Sequence, residues 1–223
     1  MIKKTTHSNQ NLMLKKIFLF IVLLSYPLFS QKTEAARKLL DEVSGKISSL
    51  KNIKFDFTYV LENRQENIRQ ETKGSVTISK NLYRINFLGY EQLFDGNMTY
   101  TIVPENEEVT ISDPEDETDF GINPSELLTI YKKDYVYQWD IKQNVMGTPV
   151  QFIKLIPNEE NKELKYLLLG IDMRTKLIYR LIEIGRYDTR TTLTLKNIKT
   201  NITLRDNFFV FDKNKYPDYY IND

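Results

Sequence analysis

The chain of 223 residues contains no cysteine, one tryptophan and a single histidine, His7, and each scarcity removes a class of chemistry. Without cysteine there is no disulfide, thiol nucleophile or thiolate-bound zinc, so the fold must rest on an ordinary apolar core. The histidine sits in an N-terminal segment that has the marks of a removable leader. A processed chain would therefore lack Ser-His-Asp and Cys-His nucleophile systems and histidine-ligated metals. Glycine is sparse, with eight residues. None of them forms GxGxxG, GxxxxGK[ST] or GxSxG, so phosphate cradles and nucleophile elbows are missing as well.

Long hydrophobic runs are also scarce. Ile17-Phe-Leu-Phe-Ile-Val-Leu-Leu24 is the one uninterrupted apolar stretch of note, far short of the roughly 20 residues that span a bilayer. It follows Lys3, Lys4, Lys15 and Lys16 and precedes Ser25-Tyr-Pro-Leu-Phe-Ser30. A positive start, a short apolar centre and a small residue for cleavage describe a secretory signal peptide over residues 1–30, cut near Ser30. Residues 31–223 then form one domain. Removing the leader takes away four lysines and no acid, leaving 27 basic against 30 acidic residues. That slight acidic excess argues against a surface that reads nucleic acid.

What is present is periodicity. Ala36, Leu39, Leu40, Val43, Ile47 and Leu50 recur at helical spacing between Thr33 and Lys51, which predicts an amphipathic helix capped by Thr33 and weakened by Gly45. After it the period falls to two: Phe55, Phe57, Tyr59 and Leu61 alternate with Lys54, Asp56, Thr58 and Val60, the pattern of a half-buried strand. Similar runs follow at 76–78, 83–87, 98–102, 135–141, 150–156, 166–171, 177–184, 191–198 and 208–211. Turn residues separate them, among them Lys80-Asn81, Asp95-Gly96-Asn97 and Gly147-Thr-Pro149. About ten strands joined by short links predict a meandering antiparallel sheet that curls. Asn123-Pro124-Ser-Glu-Leu127-Leu128-Thr-Ile130-Tyr131 predicts a second helix, with a cap and proline at its start. The fold class is α+β, a strongly curved, incomplete antiparallel barrel lidded by two or three short helices.

With histidine and cysteine gone, carboxylates are the remaining candidates for chemistry. The cluster Asp113-Pro-Glu115-Asp116-Glu117-Thr-Asp119 has Thr118 where a calcium loop needs glycine, so a solvated acidic loop is the plainer reading. A pair of acids distant in sequence could meet as in glycosidases, yet one tryptophan is poor provision for a glycan cleft. Asp95 stands in Gln92-Leu-Phe-Asp95-Gly96-Asn97-Met98-Thr-Tyr100-Thr-Ile102, where Asp-Gly between apolar runs is a hairpin signal. No catalytic residue, metal or cofactor is expected. Twenty-six tyrosines and phenylalanines instead give the sheet one continuous apolar face. Two short helices cover such a face only in part, and an incompletely covered apolar concavity is a place for an apolar ligand.

Several segments, in order, resemble the LolA-type carriers of outer-membrane lipoproteins: Phe55-Asp-Phe57-Thr, Gly74-Ser-Val-Thr-Ile78, Asn81-Leu-Tyr-Arg-Ile-Asn-Phe87, and QLFDGNMTYTIVP from Gln92 to Pro104. Asn123 to Tyr131, Tyr137-Gln-Trp139-Asp-Ile141, Phe152 to Pro157, Thr192 to Asn197 and Phe209-Val-Phe211 extend the likeness over nearly all of residues 33–217. The resemblance implies an incomplete barrel lidded by helices that holds lipoprotein acyl chains while they cross the periplasm. It also implies an inner-membrane donor and an outer-membrane acceptor as partners, and a monomeric carrier. The expected cavity lining is Phe55, Phe57, Tyr59, Val76, Ile78, Tyr83, Ile85, Phe87, Met98, Tyr100, Ile102 and Trp139, with Leu39, Leu40, Val43, Leu127 and Leu128 from the lids. The family's lid-holding arginine ahead of a proline has no counterpart here. Lys80 stands nearest to that position in Ile78-Ser-Lys80-Asn81-Leu, and Arg84 is the other candidate latch. A carrier of another amphiphile, an envelope sensor that uses the same fold to bind a protein, and an enzyme are the competing readings.

Overall fold

The computed structural model describes residues 26–114, 124–132, 134–159 and 163–222. Helix α1 (Tyr26–Ser48) opens the described chain. Six strands follow: β1 (Ile53–Asn63), β2 (Ile68–Ser79), β3 (Leu82–Phe87), β4 (Tyr90–Phe94), β5 (Thr99–Val103) and β6 (Glu108–Ser112). A single turn of helix, α2 (Pro124–Leu127), precedes β7 (Tyr135–Val145), β8 (Thr148–Pro157), β9 (Leu164–Asp172), β10 (Ile178–Gly185) and β11 (Thr189–Thr200). The short strand β12 (Tyr220–Asn222) comes last.

All twelve strands join one open sheet in the order β12-β6-β5-β4-β3-β2-β1-β11-β10-β9-β8-β7. It is two antiparallel meanders, β1–β6 and β7–β11, stitched together where β1 lies against β11. β12 is the exception, running parallel to β6. Residues opposite one another in a ladder share a face, so the registers define an inner face and an outer face. α1 packs along β7, and its Ala36, Leu39, Leu40 and Val43 share one buried cluster with Ile153, Leu155, Leu167 and Leu169 of the second meander. α2 lies over β2 and β3 of the first.

The element count differs from the sequence expectation of ten strands. The run 208–211 is not a strand: Phe208 and Val210 donate their amides to the carbonyls of Arg205 and Asn207 in successive turns. β6 and β12 were not legible, and β4 was legible only through the Asp95-Gly96 turn that follows it. In β4, Gln92, Leu93 and Phe94 are all buried, so both faces are covered and the alternation that marks a half-exposed strand disappears. Thr33 is not a cap, because α1 is helical from Tyr26, and Gly45 does not end the helix. The predicted second helix is broken into α2 and a 3-10 turn at Ile130–Lys132. Among the described residues, one long α-helix and one of a single turn stand where two or three short helices were expected. Asn123 and most of the 113–119 acidic cluster lie outside the described residues.

The Asp95 hairpin is built by its own side chain. Asp95 Oδ1 accepts the amides of Asn97 at 2.8 Å and Met98 at 3.0 Å, and Oδ2 accepts the Tyr100 hydroxyl at 3.1 Å. Gly96 takes φ +104°, open to glycine at no steric cost. Asp95 is thus a turn former. Asp95→Ala should lower unfolding free energy by about 1–2 kcal/mol, read by urea denaturation, since two backbone amides lose their acceptor.

Candidate functional site

The described residues leave a hollow on the inner face between α2 and the β1/β11 seam. Its walls enclose a volume of about 680 Å³, open side included. Phe55, Phe57 and Tyr59 of β1, Val76 of β2, and Ile85 and Phe87 of β3 form one wall. Leu181 and Glu183 of β10 with Thr191 and Leu193 of β11 form the other, and Pro124 and Leu127 cover it. The Phe87 ring meets those of Phe57 and Tyr59 edge-on or tilted, with centroids 5.4 and 5.6 Å away. Such pairs are preferred aromatic geometries and keep the rings standing.

The registers arrange this lining in rows across the strands. Phe55, Val76 and Ile85 make one row. Leu195, Phe57 and Gly74 make the next. Leu181, Leu193 and Tyr59 make the third. Glu183, Thr191 and Leu61 make the last. From the first row to the last is six residues of β1, about 20 Å of strand. Apolarity therefore runs along the cavity and ends in a row that carries a carboxyl and a hydroxyl.

Gly74 makes room for this lining. A Cβ there would stand 2.6 Å from the Asn86 carbonyl oxygen and overlap the Phe57 ring. The ring lies where a side chain on β2 would otherwise project. Gly74→Ala should destabilise the fold by about 1–3 kcal/mol by thermal or urea unfolding, the usual cost of overpacking a filled site.

Of the sequence-expected lining, Phe55, Phe57, Tyr59, Val76, Ile85 and Phe87 surround the cavity, with Leu127 from the lid. Ile78 and Tyr83 are on the same face but one row beyond its closed end, at 3% and 1% exposure. There the Tyr83 hydroxyl donates to Gln92 Oε1 at 3.2 Å. Leu39, Leu40, Val43 and Leu128 are core residues outside the lining. Trp139 pairs with Ile153 on the inner face and packs on the core away from the cavity.

Tyr100 and Ile102 are on the opposite face and require correction. Ile85 pairs with Gln92 and Gln92 with Thr101, so Thr101 is the inner residue and its neighbours point outward. Tyr100 stacks on Phe211 at 4.5 Å, and Phe211 on Tyr216 at 5.5 Å. The C-terminal segment thus gives the outer face an apolar cover of its own. Met98 belongs to the Asp95 turn. Neither candidate latch holds a lid. Lys80 is exposed in the β2–β3 turn at φ 57°. Arg84 points outward, with Nη1 on Glu91 Oε1 at 2.8 Å and its guanidinium over Phe208. The lid turn is held instead by the Tyr137 hydroxyl, which donates to the Tyr131 carbonyl at 2.8 Å. Lys176 pairs with Glu42 of α1 at 2.8 Å.

Leu181, Glu183, Thr191, Leu193 and Pro124 were missed by the sequence analysis. Their strands were legible, but nothing local places β10 and β11 beside β1. Among the described residues, Glu183 is the one carboxyl in the lining. Burial pushes its pKa up, and the neighbouring Glu163 adds to the rise. Among the described residues no group of three or more His, Cys, Asp or Glu could hold a metal. No described helix is long and apolar enough to cross a membrane.

A curved open sheet that encloses an apolar hollow beneath helices defines a class of half-barrel binding proteins. The family model described as "Outer membrane lipoprotein carrier protein LolA" matches residues 48–212; the chain belongs to that family. No match was found among curated protein sequences. Among solved structures, the chain is similar to an uncharacterised conserved protein from Thermus thermophilus, at 13% identity over 84% of this chain and 98% of that one, TM-score 0.52. It is also similar to LprF from Mycobacterium bovis, at 12% identity over 77% and 95%, TM-score 0.50. A LolA superfamily protein from Nitrosomonas europaea matches at 10% identity over 79% and 97%, TM-score 0.42. These likenesses concern the fold.

The raised pKa of Glu183 has a signed consequence. Its ionisation is harder in the folded than in the unfolded chain, so folding is favoured below the ordinary carboxyl range, about pH 4. The advantage is lost as pH rises through the elevated value. Glu183→Gln should therefore match the parent Tm near pH 4 and exceed it by a few degrees at pH 8, as measured by differential scanning calorimetry.

Proposed function

We propose that this protein is a periplasmic carrier that shields lipoprotein acyl chains in the cavity beside the β1/β11 seam and passes them from inner to outer membrane. The observation that carries the reading is the cavity itself, apolar along most of its length, partly covered and open on one side. Family membership supports it. Each methylene exposed to water costs about 0.8 kcal/mol, so long chains released unescorted would cost tens of kcal/mol. A cavity of comparable apolarity makes transfer from a membrane nearly neutral, and such transfer needs no catalytic group or nucleotide in the carrier. The protein is read as a binder with no enzymatic activity, working as a monomer with a membrane donor and acceptor.

Export through a cleaved leader belongs to the same reading. Cleavage near Ser30 would fall within α1 and leave Ala36, Leu39, Leu40 and Val43, its buried residues, on the mature chain. N-terminal sequencing of protein from a periplasmic extract should begin close to Gln31.

The decisive measurement is titration of the mature protein with a triacylated lipopeptide, followed by calorimetry or fluorescence. Saturable one-to-one binding is expected, and Thr191→Trp, which fills the cavity from its polar end, should weaken it at least about tenfold while leaving the fold intact. Failure of the lipopeptide to bind sinks the carrier reading, and recovery of one stoichiometric protein in place of lipid would favour the sensor alternative.

A further inference from the structure

The cavity has chemically distinct ends. Three successive rows, from Phe55 and Val76 through Phe57 to Leu181 and Leu193, offer only hydrocarbon and aromatic surface apart from the Tyr59 hydroxyl. The fourth brings Glu183 and Thr191 directly opposite each other on β10 and β11. Among the described residues neither side chain forms a hydrogen bond or ion pair, and no basic side chain lines the cavity with them. An acyl chain laid along the rows therefore has one energetically sensible orientation. Its hydrocarbon runs toward Phe55 and its polar end meets Glu183 and Thr191, since a polar group among the aromatic rows would lose its hydrogen bonds to water with no replacement.

We propose that Glu183 selects the polar end of the cargo: the cavity takes chains whose polar end presents an N–H, as an amide or an ammonium does, and rejects chains that end in a free carboxylate. This rests on reading the cavity as a chain-binding site. The physical ground is that a carboxylate acceptor with no basic neighbour is complementary to a donor and repels an anion, and like charges brought together in a partly desolvated site carry a large penalty. Thr191 adds a hydroxyl that can accept from the same donor. Discrimination through a repulsive group is what a carrier needs where a free fatty acid and an acylated amine offer the same hydrocarbon, because apolar walls cannot tell them apart. Burial and the nearby Glu163 make Glu183 harder to ionise, so the contrast is greatest where the carboxyl is fully charged.

The test compares dodecanoate, methyl dodecanoate, N-methyldodecanamide and dodecylammonium on the mature protein at pH 8, below their aggregation limits, by displacement of a neutral fluorescent probe. Dodecanoate should bind at least about tenfold more weakly than its methyl ester, with the amide and the ammonium tighter than the ester. In Glu183→Gln, which keeps the side chain's size, the gap between dodecanoate and ester should shrink to less than about threefold while ester affinity holds, with a calorimetric Tm confirming the fold. Equal binding of dodecanoate and ester by the parent protein overturns the inference alone, as does a uniform loss for all four ligands in Glu183→Gln. If no chain binds at all, the inference falls together with the carrier reading.

Discussion

The structure depends on one long-range pairing, the ladder between β1 and β11. It matches Phe57 to Leu195 and Tyr59 to Leu193 across more than a hundred residues of chain. Each meander on either side of it is locally determined, since hairpins fix their own register through turn length and face pattern. Neither meander alone makes the cavity. Only when β11 lies beside β1 do the phenylalanines of the first half face Leu181 and Leu193 of the second. Such a contact carries a loop-closure cost, which the packing of both inner faces must offset.

Coverage of the inner face is uneven, and that unevenness makes a site out of what would otherwise be core. α1 lies along β7 of the second meander, where Leu39, Leu40 and Val43 share a core with the fully buried Ile153, Leu155 and Leu169. Among the described residues, α2, one helical turn, is the only helix over the seam, and the turn that follows it is tied back by Tyr137 to Tyr131. A helix turn of four residues cannot fill the width of a curved sheet, so Phe57, Tyr59 and Phe87 meet one another over a hollow. The outer face is treated differently. There the C-terminal segment lays Phe211 and Tyr216 against Tyr100, closing with aromatic stacking a surface that alternation alone would leave to solvent.

Much of the architecture was legible locally. The change of period after Lys51 separated helix from sheet, and the Asp-Gly signal located the β4–β5 hairpin together with the role of Asp95. The β1 and β3 aromatics were grouped on one face by their polar alternates, and the structure places Phe55, Phe57, Tyr59 and Phe87 together around the hollow. The same logic failed at β5, where Tyr100 and Ile102 form an apolar stripe that faces outward. A strand with apolar residues on one face announces which residues travel together but not which side of the sheet they occupy, and a one-residue shift in register reverses the answer. It failed at Arg84 and Lys80 too, since latch positions taken from a resemblance carry no information on where this chain's turns aim their side chains.

The sequence by itself determined that no thiol or disulfide takes part, along with the sheet-dominated fold class, the turn at Asp95 and the apolar character of the β1–β3 wall. Each of these follows from composition or from contacts a few residues apart. Tertiary structure alone decided that β10 and β11 complete the cavity, that Glu183 joins its lining and that Tyr100 and Ile102 serve the outer face. Those facts depend on which distant strands pair and in what register, and the free energy that sets such pairing is spread over two whole faces of the sheet, so no short stretch of sequence records it.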